Sequence, residues 1–523
     1  MKIPSAFRNL DRGLAITLIV YFITVTGMWW SIHARTGEIG YTVDDAYIHC
    51  TIAKNIATHG SSGIIPGEFA AASSSLLWPI LLAVIFFVVG IHAWIPAVLA
   101  TLFGAWLIER SNSLLKTAAG AGPATRSVAI LMALTSAPML PIISTGMEHT
   151  LHAWAMVGLF AYLVRVLMGD KTRTGLIFLW ALMAVGARYE SLFALPPLLI
   201  WLALRGKWST VFELAGGMAL PVMGFAAYSL AHGGYALPNS LILKGNIAGA
   251  FHFHAFESLM EIPYLAVLAS LLLMASLISL FSKEPNSKRL AWLPASVIVM
   301  ILIHLQLAKL GWFWRYEGYL IILGILAMAP ALAPSQAWLR RLPAALSLVI
   351  CVILVFCCFP LFKRGNQAHG QITQAAGNIH DQQLQMAQVV RHLGKGARVA
   401  ANDIGAVSFL TDASILDLWG LGDNRIAKAK HEHSYNSEFI KARLIEEQID
   451  YVICYPSWFM PPTELPASLI PVERWVLGNN LICGSDTVVF YATSQHAVEK
   501  LALAIDHYHS ESKPEKYTSI INK

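Results

Sequence analysis

The stretch YTVDDAYIHC, residues 41–50, places two adjacent carboxylates, Asp44 and Asp45, just beyond an apolar run that ends in Trp29 and Trp30. How that run is read decides the fold. It covers residues 14–30 and follows Lys2, Arg8 and Arg12. It is long for the apolar region of a signal peptide and is followed by no small-residue cleavage site, so it reads as a retained first membrane helix. Similar runs recur until residue 361 and then stop. Of the 523 residues 56% are hydrophobic and 13% charged, against about 25% charged in ordinary soluble domains. The chain is therefore expected to be a polytopic α-helical membrane protein (residues 1–361) with a soluble domain behind it (362–510) and a disordered tail (511–523). The net charge of +6 is no signal for nucleic acid, because the basic residues sit mostly in short loops between apolar runs, where they set topology.

Counting spans settles which loops share a side. The apolar segments are 14–30, 76–89, 91–108, 127–143, 150–168, 174–187, 191–204, 211–231, 263–281, 291–307, 318–333 and 343–361. Taking all of them as spans would turn Arg110, Lys116 and Arg126 outward. Segment 76–89 is short for a crossing and suits a re-entrant or interfacial piece. Without it about eleven spans remain. The N-terminus and the basic loops, among them Arg205/Lys207 and Lys283/Lys288/Arg289, then face the cytoplasm, and the C-terminal domain lies outside. Five polar clusters fall together on the outer side: 41–50, TGMEHT (145–150), ARYES (187–191), LPNSLILKG (237–245) and KLGWFWRYEGY (309–319). One such loop means little, whereas five on one side describe a site built at the outer interface.

The first outer loop, 31–90, holds a helix candidate. Ile48, Ile52 and Ile56 are spaced by four, and Gly60 can end it. Its polar face carries His49, Lys54 and Asn55, which suits a helix lying on the membrane surface. Two adjacent acids cannot point the same way from a regular element. The expected division makes Asp45 the helix cap and turns Asp44 toward the site; the competing reading makes both surface and capping residues.

In order, the Asp-Asp pair, the PGE…SSLLW stretch (66–78), STGME (144–148), ARYE (187–190), PNS…K (238–244) and the tail VAANDIGAVSFLTDASILDLWGLGD (399–423) resemble the GT-C membrane glycosyltransferases. Within these the resemblance is to the group of polyprenyl-phosphoarabinose-dependent terminal arabinofuranosyltransferases. Tyr189 and Phe409 depart from that pattern. The resemblance implies a sugar, arabinofuranose by this likeness alone, moved from a polyprenyl-phosphate donor in the bilayer to an envelope glycan, lipid or protein. The reaction would take place on the outer face of the bacterial inner (cytoplasmic) membrane, with inversion. It puts Asp44 forward as the general base with Asp45 second, since a hydroxyl nucleophile needs a carboxylate in reach. Arg188, Lys244 and Arg315 are the candidates for the leaving phosphate. Each also reads as a snorkelling residue, or for the arginines as the partner of a local acid. Glu148, Glu190, Asn239 and Tyr316 are the substrate-binding candidates, with Glu148 also reading as a partner that holds Arg188. A divalent cation (Mg, Mn or Ca), with Glu148 and Asp44 as ligands, is the one cofactor left open. The competing function is a membrane receptor or envelope-assembly protein with a ligand-binding outer domain, which leaves the acids and bases of the outer loops unexplained.

The soluble tail reads as a linker over 362–395 running into a helix at 382–393. Strands follow at 398–401, 414–418, 451–454 and 487–491, with a helix at 438–448, a small α/β domain. Cys454 and Cys483 are either a disulfide or two core thiols.

Overall fold

The computed structural model describes residues 11–170, 175–244, 253–339, 341–461 and 463–511. The expected tail from residue 512 lies outside the described residues, as does the side chain of Lys244. Among the described residues five helices are long and apolar enough to cross a membrane: Arg12–Thr36, His149–Met168, Trp208–Ala231, Pro263–Leu280 and Pro285–Leu307. A sixth crossing results if Ala344–Cys357 and Phe359–Gly370, bent by 47°, form one span. The protein is a membrane protein, and its bundle is completed by Ile95–Ala119 and by shorter apolar helices. Leu77–Val89, the segment set aside in the span count, is a helix of 13 residues with Val84, Phe87 and Val88 exposed. At about 20 Å it falls short of the roughly 30 Å hydrocarbon core.

The C-terminal domain is built on five strands: β1 Arg398–Ala401, β2 Ser414–Asp417, β3 Tyr451–Cys454, β4 Ile470–Val476 and β5 Thr487–Ala492. Their order is β2-β1-β3-β5-β4, with β1 parallel to β2 and β3, and β5 antiparallel to β3 and β4. β4 was not expected from the sequence. It is an edge strand with Pro471 near its start and a bulge between Pro471 and Glu473, which breaks the alternation by which a strand is recognised. Cys454 and Cys483 are separate buried thiols.

Two local expectations change. Residues 362–395 are not a loose linker: helices Phe359–Gly370 and Ile372–Ile379, a π-turn at His380–Leu384 and helix Gln385–His392 run almost without interruption. They lie against Arg12–Thr36, and Arg35 pairs with Asp381 at 2.5 Å. The helix Asp45–His59 forms where expected and ends at Gly60 with φ 68°, but it does not lie on a membrane surface. It is sandwiched. Tyr47, Cys50 and Ala53 join an apolar cluster with Trp78 and Leu82 of the bundle, while Ile48 and Ile52 join Val407, Ile415 and Tyr455 of the C-terminal domain. Thr51 Oγ1 meets Ser408 Oγ at 2.9 Å.

Candidate active site

The five polar clusters close around one cavity of about 330 Å³. Asp45, Ile48 and His49 come from the first, Met147 from the second and Arg188, Tyr189 and Glu190 from the third. The fourth adds Leu237, Ser240 and Leu241, the fifth Lys309, Arg315 and Tyr316, and the C-terminal domain adds Leu421. Most of the wall is apolar, with a few charged side chains, Asp45, Arg188, Glu190, Lys309 and Arg315, set into it, the pattern of a site for an amphipathic ligand.

Arg188 stands at the end of helix Leu176–Ala187, where the chain turns extended (φ −157°, ψ 140°). Its Nε and Nη2 donate to Glu190 at 3.1 and 2.5 Å, and its Nη1 donates to Glu148 Oε1 at 2.5 Å. Glu148 also accepts from Ser74 at 3.1 Å, and its Oε2 is 3.5 Å from His49 Nε2. Glu148 does not line the cavity. It is fully buried behind Arg188, and of the roles open to it the structure shows the one that holds the Arg188 guanidinium. His49, not among the residues expected at the site, does line it, since it lies one helical turn from Asp45 on the same face.

Arg315 is placed by an unusual turn. Gly311, Trp312, Phe313 and Trp314 have φ of 79°, 41°, 60° and 57°, four successive residues in the left-handed region that L-residues avoid. Glu317 braces the turn from below. It is fully buried and accepts from Gly311 N at 2.9 Å, Tyr264 OH at 3.1 Å and Arg364 Nη2 at 2.5 Å. Beyond the turn, Arg315 Nη2 meets Asp45 Oδ2 at 2.5 Å, and its Nη1 lies 3.0 Å from Met147 Sδ. Both guanidinium groups lie over the Tyr316 ring, Arg188 Cζ 5.6 Å and Arg315 Cζ 5.2 Å from its centroid, contacts that cation–π attraction favours.

The expected division of the two acids is reversed in this geometry. Asp45 faces the cavity. Asp44 occupies the cap position of the helix without capping it. Its carboxylate instead accepts from Gly405 N at 2.6 Å and Ala406 N at 2.8 Å. Gly405 lets the chains meet: a Cβ there would come 2.2 Å from the Asp44 carbonyl oxygen. The neighbouring Asp403 Oδ2 lies 2.8 Å from both Gln383 Nε2 and Tyr455 OH. Burial, then the Asp403 charge, hold Asp44 well above the usual carboxylate range, and burial raises Asp403 as well. The DIGA stretch of the tail is thus the receptor for the first acid of the DD pair.

The carboxyl ends of β1 and β3 supply this joint. Asp403 follows β1, Tyr455 follows β3, and Asp417 ends β2. Asp417 accepts from Trp419 N at 2.8 Å and Gly422 N at 2.6 Å, shaping the loop that delivers Leu421 to the cavity. Burial lifts its pKa to about 6. Asn239, expected on substrate, is buried and donates to Leu421 O at 3.1 Å and Asn424 Oδ1 at 2.9 Å. It ties the fourth outer loop to the tail. Asp44 and Glu148, the expected cation ligands, engage these different partners, and among the described residues no group of three His, Cys, Asp or Glu side chains is placed to hold a metal ion.

ArnT from Cupriavidus metallidurans bound to undecaprenyl phosphate superposes with a TM-score of 0.53 at 10% identity, over 92% of this chain and 98% of that one. Its apo state gives 0.52 at 12% identity over the same shares. The chain has the GT-C fold. The mycobacterial arabinofuranosyltransferase AftD reaches a TM-score of 0.47 at 14% identity, over 93% of this chain and 42% of that one, and the fold assignment rests on the other two. A family profile described as Domain of unknown function (DUF8728) matches residues 377–491, the core of the C-terminal domain. No curated protein matches the sequence.

Proposed function

We propose that the protein is a membrane glycosyltransferase that moves a sugar from a polyprenyl-phosphate donor to an envelope glycan, lipid or protein on the outer face of the inner membrane. The observation that carries this reading is the pairing of Asp45 and Arg315 on the wall of one cavity at the end of the bundle that bears the C-terminal domain. The chemistry needs both groups. An acceptor hydroxyl attacks the anomeric carbon and gives its proton to a carboxylate. The bond from that carbon to the phosphate oxygen breaks, and its electron pair leaves with the phosphate. Direct displacement inverts the anomeric centre. The phosphate leaves as an anion, so it needs fixed positive charge rather than a strong acid. Asp45 is the proposed base because it faces the cavity, whereas the Asp44 oxygens are turned to backbone N–H groups of the tail. Arg315 is the proposed phosphate ligand. The ArnT structure with undecaprenyl phosphate supports a polyprenyl donor.

The test is release of polyprenyl phosphate from a panel of polyprenyl-phosphosugars, arabinofuranose first, by the protein in nanodiscs with an envelope extract as acceptor. Asp45→Asn, Asp44→Asn and Arg315→Gln run beside wild type, with Mg, Mn, Ca and chelator arms. Release from one donor that disappears in Asp45→Asn, with folding retained, is the expected result. Loss in Asp44→Asn alone would move the base to Asp44. No release from any donor, with Asp45→Asn tolerated in cells, would favour the receptor or assembly reading.

A further inference from the structure

The two arginines of the cavity are not equivalent. Every nitrogen of Arg188 already meets a carboxylate: Glu190 takes Nε and Nη2, and Glu148 takes Nη1. Those carboxylates retain only 10% and 0% side-chain exposure. Arg315 holds a single carboxylate, on Nη2; its Nη1 meets only a thioether, a weak acceptor, and its Nε is buried without a hydrogen-bond partner. That carboxylate is the accessible one, since the Asp45 side chain keeps 23% exposure against 1% for Arg315. Charge adds a constraint. Among the described side chains Asp45, Glu148 and Glu190 balance Arg188, Arg315 and Lys309, so an anionic ligand meets no net positive charge from them unless a carboxylate moves away. Moving Glu148 or Glu190 would strand a buried guanidinium. Moving Asp45 would not, provided an anion takes its seat.

Resting on the transferase reading above, we infer that Asp45 is a displaceable occupant of the donor-phosphate seat on Arg315. The arriving phosphate takes Nη2 in place of the Asp45 carboxylate and offers a second oxygen to an underused neighbour of Nη2, Nη1 or Nε, along one edge of the guanidinium. Asp45, at the first turn of its helix, then swings free of its ion pair at the cavity wall. No covalent bond changes in this exchange. Its consequence is order: the base becomes available only once the donor is seated, so water or acceptor alone finds a neutralised carboxylate. The braced left-handed turn at 311–314 keeps the Arg315 backbone in place while its counter-ion changes.

The exchange makes a prediction opposite to that for an ordinary binding residue. Full-length protein in nanodiscs is titrated with undecaprenyl phosphate, and binding is read by native mass spectrometry. Asp45→Asn, and Asp45→Ala as a second variant, should bind at least tenfold more tightly than wild type while losing transfer. Arg315→Gln should bind at least tenfold more weakly, and in its background Asp45→Asn should change nothing. Equal or weaker binding by both Asp45 variants, with unchanged thermal midpoints, overturns the exchange while leaving the transferase reading intact. Failure of wild type to bind undecaprenyl phosphate at all overturns the polyprenyl-phosphate reading first, and the exchange with it.

Discussion

Replacing Glu317 with glutamine tests whether a residue outside the cavity holds the cavity's key cation in place. Trp312, Phe313 and Trp314 sit in the left-handed region. At about 1–2 kcal/mol for each non-glycine residue, the turn carries roughly 3–6 kcal/mol of unfavourable conformational energy. Glu317 opposes it with bonds from Arg364, Tyr264 and Gly311 N, and hydrogen bonds to a charged group contribute about 1.5–3 kcal/mol each. The brace and the strain are thus of similar size, with the brace ahead. Glutamine keeps the shape but leaves Arg364 a buried, uncompensated charge, a loss of about 3–5 kcal/mol. Hydrogen exchange of a peptide spanning 309–317 should then be at least about a hundredfold faster, since each 1.4 kcal/mol of opening free energy is roughly a factor of ten. Undecaprenyl phosphate affinity should fall with it, because Arg315 follows the turn. Adding Arg364→Met should recover part of the protection by removing the stranded charge. Exchange within about threefold of wild type in Glu317→Gln would refute the claim that this carboxylate holds the turn.

Gly405→Ala should separate the C-terminal domain from the first outer loop, because its Cβ would meet the Asp44 carbonyl oxygen at 2.2 Å; a loss of about 1–3 kcal/mol is expected for such overpacking, read as a lower thermal midpoint and faster proteolysis near 403–410. Asp44 and Asp403 bind protons in the folded protein at pH values where the unfolded chain has lost them. Their contribution to stability is therefore full below the ordinary carboxylate pKa and declines as pH rises through the raised folded values; Asp44→Asn should flatten that part of a stability–pH profile, and an unchanged slope would count against the shared site. Arg188→Met should cost about 3–5 kcal/mol by stranding Glu148 and Glu190, seen as a large drop in thermal midpoint in detergent, whereas a variant as stable as wild type would show that the clamp is not structural.

The sequence was sufficient for the features set by composition and run length. A chain with recurrent long apolar runs must place them in lipid, and the charges of its loops sort its ends, so the clusters at 41–50, 145–150, 187–191, 237–245 and 309–319 were legible as one group of loops. The cavity draws on all five. The helix Asp45–His59 was legible too, from its apolar spacing and Gly60.

What the tertiary structure decided was the role of each side chain inside those loops. Asp44 and Asp45 are chemically identical neighbours, and the segment that separates them in function is Gly405–Ala406, about 360 positions away in the chain. The same holds for Asn239, claimed by Leu421 and Asn424, and for Glu148, claimed by Arg188. Hydrogen-bond partners of this kind are fixed only when segments distant in the chain pack together, and the residues flanking each side chain do not specify them. In GWFWRY only Gly311 hints at the left-handed turn, because the strain of the next three residues is held by Glu317 and Arg364 from a distant helix. Patterning determines which surfaces face lipid and which loops gather, since burial follows residue type; which acid meets the substrate is decided by contacts between segments far apart in the chain.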